Sequence, residues 1–374
     1  MSPAEINVKI KPNMRIQAFY LFFIIVSMQI GVGILGVPRL VFSEAKQDSW
    51  ISILVAAAYI IIVLLVMLLI LKQYDNADIH GIHRDIFGKW LGNIFSTVYI
   101  LYFGIAFYSV LLTYIEVVKV FVFPDVSNFV MGLLLISLTI YGVLGGLRVI
   151  IGVSFVFGVL ANWILFLLIH PALQIDFNHY LPLFQAPFVD LLKGARATSY
   201  TFMGFEILFL VYPFIQNKNK VRITSLLAVS WSALLVLSAT MLAIGFFSAE
   251  QLERREWAVL VLFKTQSFPF VERFDYIVVA ELMMVVVPSL LFLMWGLTYS
   301  MKRVYKVKQK PTLYVAAIIF LIGTFFFEKH FETQRVINFA EQFGFWFIYV
   351  YPFLLLPLVL FKKRLKKRKG AGSS

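Results

Sequence analysis

The first long apolar run of the chain, residues 16–42, is interrupted in its middle by glycines and a proline. The interruption reads Gln29-Ile30-Gly31-Val32-Gly33-Ile34-Leu35-Gly36-Val37-Pro38. Inside a helix, glycine is about 1 kcal/mol and proline about 3 kcal/mol less favourable than alanine. Unwound backbone at membrane depth is tolerated only where protein encloses it or where it lines a cavity. The pattern therefore predicts a broken first membrane span beside a binding site, as in secondary transporters.

The composition is that of a membrane protein. Of the 374 residues, 61% are hydrophobic and 14% are charged, which is too little charge to cover the surface of a soluble domain. The first fourteen residues are polar, so we expect the first apolar run to be a retained span and not a cleaved signal. The sequence has no cysteine, which excludes disulfides and thiolate metal sites.

Ten apolar stretches emerge with a window of about 19 residues. They cover residues 16–42, 50–71, 92–121, 128–145, 149–169, 195–215, 222–247, 275–300, 312–327 and 342–361. We expect one polytopic transmembrane domain over residues 1–369 and a flexible tail at 370–374. With the N-terminus inside, 22 of the 33 Lys and Arg residues lie nearest a cytoplasmic span end. This asymmetry predicts two cytoplasmic termini and a basic rim that attracts anionic lipids.

The alternative interpretation of the basic run at residues 362–369 is a nucleic-acid contact. The run follows a span directly and contains no aromatic residue, so we expect no nucleic-acid partner.

A second interruption lies in the sixth stretch. It runs from Thr198 to Glu206 and is followed by Pro213. Breaks in the first and sixth of ten spans are what a five-plus-five inverted repeat produces, with the two broken helices meeting at the bilayer centre. The halves show no repetition at the level of residues, so the break positions alone predict this all-α fold.

These motifs resemble a known family. The first-span motif through Pro38-Arg39, Gly204-Phe205-Glu206 and Tyr212-Pro213-Phe214 are similar to those of the spore germination permeases, the B subunits of germinant receptors. That family belongs to the amino acid–polyamine–organocation superfamily. The resemblance implies the ten-helix inverted-repeat fold and residence in a bacterial inner membrane, of the cell or the spore. It also implies a small-molecule-sensing role beside A and C subunits.

The candidate ligand contacts come first from the two breaks. Glycines let a ligand approach the backbone, and the free N–H groups of a half-helix suit a carboxylate; close helix packing is the alternative. Gln29 offers both donors and an acceptor, although an interhelical hydrogen bond would also explain it. The break candidates are Gln29, Gly31, Gly33, Ile34, Thr201, Met203, Gly204 and Glu206.

Two acids lie deep in apolar stretches, where an ionisable group is costly and is a functional candidate. Glu206 would hold a ligand ammonium, or hydrogen-bond the broken sixth helix in its protonated form. Glu281, in the eighth stretch, would pair with a partner that the sequence does not identify. Either acid would serve as an ion or proton site. A third acid, Glu116, is expected to pair with Lys119 one turn away.

The third and eighth spans flank the broken ones in this fold class. Four residues spaced by one helical turn would face the site from these spans, with lipid-facing packing as the alternative; they are Tyr102, Ala106, Leu291 and Trp295. His80 and His83 have a spacing that fits a metal, but a solvated loop helix is favoured over a metal site.

The sequence predicts a ligand-sensing subunit that binds a small polar germinant at the membrane midplane. The alternative is an autonomous amino acid transporter coupled to protons or sodium. No Gly-rich phosphate loop, Ser-His-Asp order or His-Glu-x-x-His motif occurs, so we expect neither an enzyme nor a cofactor.

Overall fold

The computed structural model describes residues 6–264 and 274–371. Its α-helices are α1 (Tyr20–Gln29), α2 (Gly33–Ala45), α3 (Ser49–Leu71), α4 (Ile79–Phe121), α5 (Asn128–Leu144), α6 (Leu147–Leu160), α7 (Ile164–Leu167), α8 (Ile169–Ala172), α9 (Phe188–Ala197), α10 (Ser199–Phe202), α11 (Leu208–Val211), α12 (Lys218–Phe246), α13 (Ala249–Arg254), α14 (Ala258–Lys264), α15 (Phe274–Tyr305), α16 (Gln309–Gly323), α17 (His330–Gly344) and α18 (Tyr351–Ala371). Short 3₁₀ turns and one π-helical segment, Phe345–Val350, join several of them.

Six helical segments of the described residues are long and apolar enough to cross a membrane. They are Gly33–Leu71, Ile79–Phe121, Leu147–Ala172, Lys218–Phe246, Tyr276–Tyr305 and His330–Lys366. Four shorter apolar helical segments are Tyr20–Gln29, Asn128–Leu144, Ser199–Phe214 and Gln309–Gly323. The all-helical membrane class is therefore confirmed, and helices occupy every predicted stretch. The ten crossings and the inverted repeat stay predictions.

Several helices extend beyond the predicted apolar stretches. The third stretch begins at Ile79, not at residue 92, because a capped helical segment precedes a kink at Gly88, whose φ is 79°. The tenth stretch was placed at 342–361, but helix runs from His330 through the π segment to Ala371. Amphipathic turns flank the apolar core of each span, and a hydropathy window does not register them. The predicted tail is helical to Ala371, and residues 372–374 lie outside the described residues.

Helices α4 and α15 form the most extensive helix pair in the described part of the chain. Glycines allow their backbones to approach closely, as is common between membrane helices. A Cβ atom on Gly296 would lie 3.0 Å from the ring of Phe103, and one on Gly104 would lie 3.2 Å from Leu297. The first half of the broken first span, α1, packs against α15 of this pair.

The chain just before α1 is joined to the chain just after the sixth stretch. The N–H of Ile16 donates to the carbonyl of Phe214 at 2.9 Å, and the N–H of Gln216 donates to the carbonyl of Ile16 at 2.9 Å. We call this parallel pairing of Ile16 with Ile215 the backbone clasp. It ties together the ends of the two broken spans that lie on the side of the N-terminus.

The two histidines expected in a solvated loop are buried, with 2% of His80 and none of His83 exposed. His80 Nε2 lies 2.8 Å from Ser300 Oγ, and His83 Nδ1 lies 3.1 Å from Ser96 Oγ. The expectation of solvent exposure was wrong because the segment before Gly88 folds inward against α15.

Candidate functional site

The first break is short and sharp. Helix α1 ends at Gln29, Ile30 is extended (φ −85°, ψ 100°), and α2 begins at Gly33. The first-turn N–H groups of a helix have no partner inside that helix. The start of α2 therefore presents donors and the positive end of a helix dipole.

The second break lies directly against the first. Helix α10 ends at Phe202, Met203 is extended, and Gly204 has a φ of 121°, a conformation that side chains disfavour. A Cβ atom on Gly204 would lie 2.7 Å from the backbone carbonyl oxygen of Met28. The two broken spans thus cross in backbone contact at Gly204.

Two side chains hold the crossing together. The amide nitrogen of Gln29 donates to the carbonyl of Phe202 at 2.9 Å. Glu206 is 1% exposed; its Oε1 accepts from the Tyr102 hydroxyl at 2.6 Å, and its Oε2 accepts from the N–H of Gly204 at 2.7 Å. Oε2 therefore supports the second break and Oε1 links it to α4, and no ion pair of Glu206 is found in the described ranges. A role of Glu206 toward a ligand or an ion stays a prediction.

A cavity of about 50 Å³ lies at the crossing. Eight of the predicted contacts line it: Gln29, Gly31, Gly33, Tyr102, Ala106, Thr201, Met203 and Gly204. One water needs roughly 10–15 Å³ by this measure, so the cavity has room for a few waters, and a whole solute requires the walls to open. The Oε1 atom of Gln29, one of the lining residues, is buried and has no hydrogen-bond partner among the described residues.

The two glycines of the first break differ in their surroundings. A Cβ atom on Gly31 would meet nothing within 4 Å, so Gly31 borders open space. A Cβ atom on Gly33 would lie 2.9 Å from Thr201 Oγ1 and 3.2 Å from its Cα. Gly31 therefore contributes to the cavity, whereas Gly33 permits close packing between α2 and α10.

A larger cavity of about 290 Å³ adjoins the crossing, on the side away from the backbone clasp. It shares Gly33, Tyr200 and Thr201 with the central cavity. Its other walls include Arg39 and Glu256, so groups of both charge signs line it. We call it the vestibule. The Tyr200 hydroxyl, 2.7 Å from Ser109 Oγ, lies between the two cavities.

The acid expected to pair with Lys119 lies beside the vestibule instead. Glu116 is hydrogen-bonded to His330 Nδ1, while Lys119 donates to Asn128 Oδ1 at 2.8 Å. The prediction of a Glu116–Lys119 pair was wrong because the start of α17 supplies a closer partner. His330 Nε2 also lies 3.7 Å from Glu256.

Other predicted positions lie away from the central cavity. Ile34 is not part of its lining, and Leu291 faces Gly142 of α5. Trp295 stacks on Tyr299 with ring centroids 4.9 Å apart, near the clasp side of the molecule. Glu281 accepts a hydrogen bond from the indole of Trp163 at 2.9 Å. One-turn spacing on α15 predicts that Leu291 and Trp295 share a face, but it does not show which face turns toward the site.

The cavity also has walls that sequence reasoning missed. They are Met28, Val32, Val110, Tyr200, Ser289, Leu293 and Ala340. Ser289 carried a signal, since it follows Pro288 inside a span; its hydroxyl donates to the carbonyl of Ser27. The apolar members resemble any other span residue in the sequence, so only the fold identifies them.

Comparison with known proteins gives this site its context. A family model described as spore germination protein matches residues 15–333, which include both breaks, the cavity except for Ala340, and most of the vestibule. The chain belongs to the spore germination permease family. As a member of this family with membrane-spanning helices, it is a multi-pass membrane protein.

Individual relatives cover nearly the whole chain. It is 32% identical to the spore germination protein GerQB of Bacillus cereus over 337 residues, which cover 90% of this chain and 93% of GerQB. It is 25% identical to the spore germination protein KB of Bacillus subtilis (strain 168) over 376 aligned positions, 95% of this chain and 98% of that protein. Spore germination protein B2 of Bacillus subtilis (strain 168) is 23% identical over 352 residues, 92% and 94% of the two chains. Family membership therefore rests on full-length similarity and not on the glycine motif alone.

Proposed function

We propose that this chain is the ligand-sensing B subunit of a spore germinant receptor and binds a small polar germinant where the two broken spans cross. The observation that carries the proposal is the buried, unpartnered acceptor of Gln29, a residue that lines the cavity beside the first turn of α2. A ligand with a donor group and an anionic group, such as an amino acid, would suit this site. Its donor would bond to the Gln29 acceptor, and its anionic group would meet the free N–H groups of α2. A buried polar atom without a partner costs about 1–3 kcal/mol, so such a ligand removes a standing penalty.

The proposed path runs from the outer side through the vestibule. Its charged groups would receive the germinant, which would pass Tyr200 and enlarge the central cavity. Binding would then favour one of two conformations of the broken spans, in proportion to its difference in affinity for the two. A and C subunits of the receptor are the proposed readers of that change.

The proposed setting completes this assignment. Ten spans in a five-plus-five inverted repeat would lie in the inner membrane of the cell or the spore, with both termini in the cytoplasm. Anionic lipids would contact the basic cytoplasmic rim. None of these roles requires an enzymatic step.

Substitution of Gln29 tests the proposal. Gln29→Glu keeps an acceptor at the position of Oε1 but loses the donor to Phe202, whereas Gln29→Met removes both. We expect spores that depend on this chain to respond to germinant at least tenfold less sensitively with Gln29→Met. Gln29→Glu should separate the role of the Gln29 acceptor from the role of its donor to Phe202, since it retains only the acceptor. Gln174→Ala, at an exposed position, is the matched control. Normal abundance with an unchanged dose response in Gln29→Met would contradict the proposal.

A transporter of the same fold is the second candidate function. The buried carboxyl of Glu206, which has no ion pair in the described ranges, favours it because coupling ions need such a site. Uptake of labelled amino acids into liposomes that contain the purified chain, with and without proton and sodium gradients, distinguishes the two. Gradient-dependent accumulation that Glu206→Gln abolishes would establish transport. Binding without accumulation would support the sensor.

A further inference from the structure

A second, much larger cavity lies on the clasp side of the molecule and is separate from the germinant path. Its volume is about 710 Å³. The N-terminal segment, the connection between α5 and α6, the end of α15 and the start of α16 enclose it. In the central cavity the polar groups are few and neutral, but here they are mostly cationic.

Six basic residues line this basic cavity, and none of the lining residues in the described part of the chain carries a carboxylate. The six basic residues are Lys9, Lys302, Arg303, Lys306, Lys308 and Lys310. The Arg303 guanidinium is compensated by buried Asp78, whose Oδ2 lies 3.1 Å from Nε. The lysines converge from three segments of the chain, so their positive potentials add at one place. Ammonium groups of lysine bind phosphate as point charges, so the cavity suits a phosphate-bearing anion.

The floor of the basic cavity is aromatic and apolar. Trp295 stacks on Tyr299, and the ring of Phe214 lies 6.0 Å from that of Trp295. Leu144 and Leu313 are also part of the lining. A small hydrated anion would make no favourable contact with these apolar side chains. An anion that carries hydrocarbon would cover them and remove them from water.

The walls lead to surfaces suited to acyl chains. Leu144 is 46% exposed and lies at the end of α5, whose residues Leu134 and Tyr141 are 61% and 78% exposed. Along α16, which begins at the cavity, Ile318 and Ile319 are 57% and 61% exposed. Exposed apolar side chains on membrane helices face lipid. The basic cavity therefore opens between two lipid-facing helices.

We propose that the basic cavity binds one anionic phospholipid, with its phosphate among the lysines and its acyl chains along α5 and α16. Basic pockets between membrane helices on the cytoplasmic side are a recognised form of headgroup site. The proposal deepens the lipid contact proposed above and rests on the proposed cytoplasmic orientation of the N-terminus. It does not depend on the germinant or on the central cavity.

The occupant would touch the machinery of the broken spans. Phe214 lines the basic cavity, and its carbonyl accepts the clasp hydrogen bond from Ile16. Met14, two residues before Ile16, is also part of the lining. A bound lipid would therefore hold both strands of the clasp in place.

Native mass spectrometry of the detergent-purified chain, without germinant, tests the proposal. We expect one phosphatidylglycerol to be retained at least tenfold more tightly than phosphatidylcholine. The triple variant Lys302→Gln, Lys308→Gln and Lys310→Gln should abolish that preference. The control variant Lys72→Gln, Lys220→Gln and Arg222→Gln removes the same charge from exposed positions outside the cavity and should retain it.

The other outcomes are equally defined. Equal loss of the preference for phosphatidylglycerol in both triple variants would mean that the basic rim attracts anionic lipid without a specific site. That result would overturn the proposal. Full displacement by millimolar inorganic phosphate would assign the cavity to a soluble anion and overturn the lipid. As a second measurement, brominated phosphatidylglycerol should quench the fluorescence of Trp295, obtained as the difference between the parent and Trp295→Phe. Absence of quenching at Trp295 would also overturn the proposal. These measurements succeed or fail independently of the germinant response.

Discussion

At the scale of single residues, the glycines of the crossing are not equivalent, and each has its own expected phenotype. Gly31 borders open space, Gly33 touches a side chain, and Gly204 touches backbone. Substitution by alanine therefore tests the cavity at Gly31 and the fold at Gly204.

For Gly31→Ala we expect normal abundance and a response to germinant weakened about tenfold, because the methyl occupies the cavity without a clash and favours helix by roughly 1 kcal/mol. Gly204→Ala should fail to accumulate, because its positive φ and the Met28 carbonyl exclude a side chain. Immunoblots and dose–response curves measure both. Gly152→Ala, also with open space around it, is the control. A Gly31→Ala protein with parental sensitivity would show that the germinant does not bind here.

For Glu206 the hydrogen bonds predict tolerance of an amide. In Glu206→Gln the side-chain oxygen would still accept from Gly204 N–H while the amide donates to the Tyr102 oxygen, so we expect sensitivity within about threefold of the parent. Glu206→Leu should lose abundance, since it leaves the buried N–H of Gly204 unpartnered at a cost of about 1–3 kcal/mol. A tenfold loss in Glu206→Gln, about 1.4 kcal/mol, would instead indicate a charge contact with the ligand.

Sequence reasoning at this scale identified residues with unusual chemistry and missed ordinary ones. Gln29, Gly31 and Gly204 are conspicuous in an apolar run, so their place at the cavity could be foreseen. Val110 and Leu293 could not, because nothing distinguishes them from residues that face lipid. The sequence also did not identify hydrogen-bond partners, because residues such as Glu206 and Tyr102 are 104 positions apart in the chain.

At the scale of elements, a single carboxylate anchors the connection between the fifth and sixth spans. Asp48 is 2% exposed and accepts from the N–H groups of Phe184, Gln185 and Ala186 at 2.7, 2.6 and 2.8 Å. It lies between α2 and α3, so it joins the two halves of the chain on the vestibule side. Nothing in the sequence around Asp48 indicated this role.

We expect Asp48→Ala to release this connection. Hydrogen bonds to a charged group contribute about 1.5–3 kcal/mol each, and the three N–H groups would exchange with solvent once the acceptor is gone. Hydrogen–deuterium exchange should show faster exchange at residues 184–186. Asp125→Asn, at an exposed acid, provides the control. Unchanged exchange at these three amides would contradict the anchor.

Element boundaries were the weakest part of the sequence prediction. Apolar runs locate the membrane cores of helices, but polar turns that fold inward extend α4 and α17 well beyond them. The buried His80 and His83 belong to such a turn. Their burial depends on packing against a helix more than 200 residues away, which no local pattern reveals.

At the scale of the whole molecule, the distribution of positive charge predicts which ends face the cytoplasm. Reporter fusions at the C-terminus and within residues 248–264 should report opposite sides of the membrane, with the C-terminus inside. A third fusion after Lys72 should agree with the C-terminus and serves as an internal control. Reports from the same side by the first two fusions would contradict ten spans.

The backbone clasp joins the two broken spans at one end only of each span, the end on the side of the N-terminus. Its two hydrogen bonds contribute about 0.5–1.5 kcal/mol each on the side of the N-terminus. The vestibule lies at the opposite end, where the three hydrogen bonds of Asp48 join the two halves of the chain. A solute that enters by the proposed path through the vestibule would leave the clasp intact, whereas its passage to the side of the N-terminus would break the clasp. The clasp would therefore oppose passage of a solute through the protein, which agrees with the proposed sensing role.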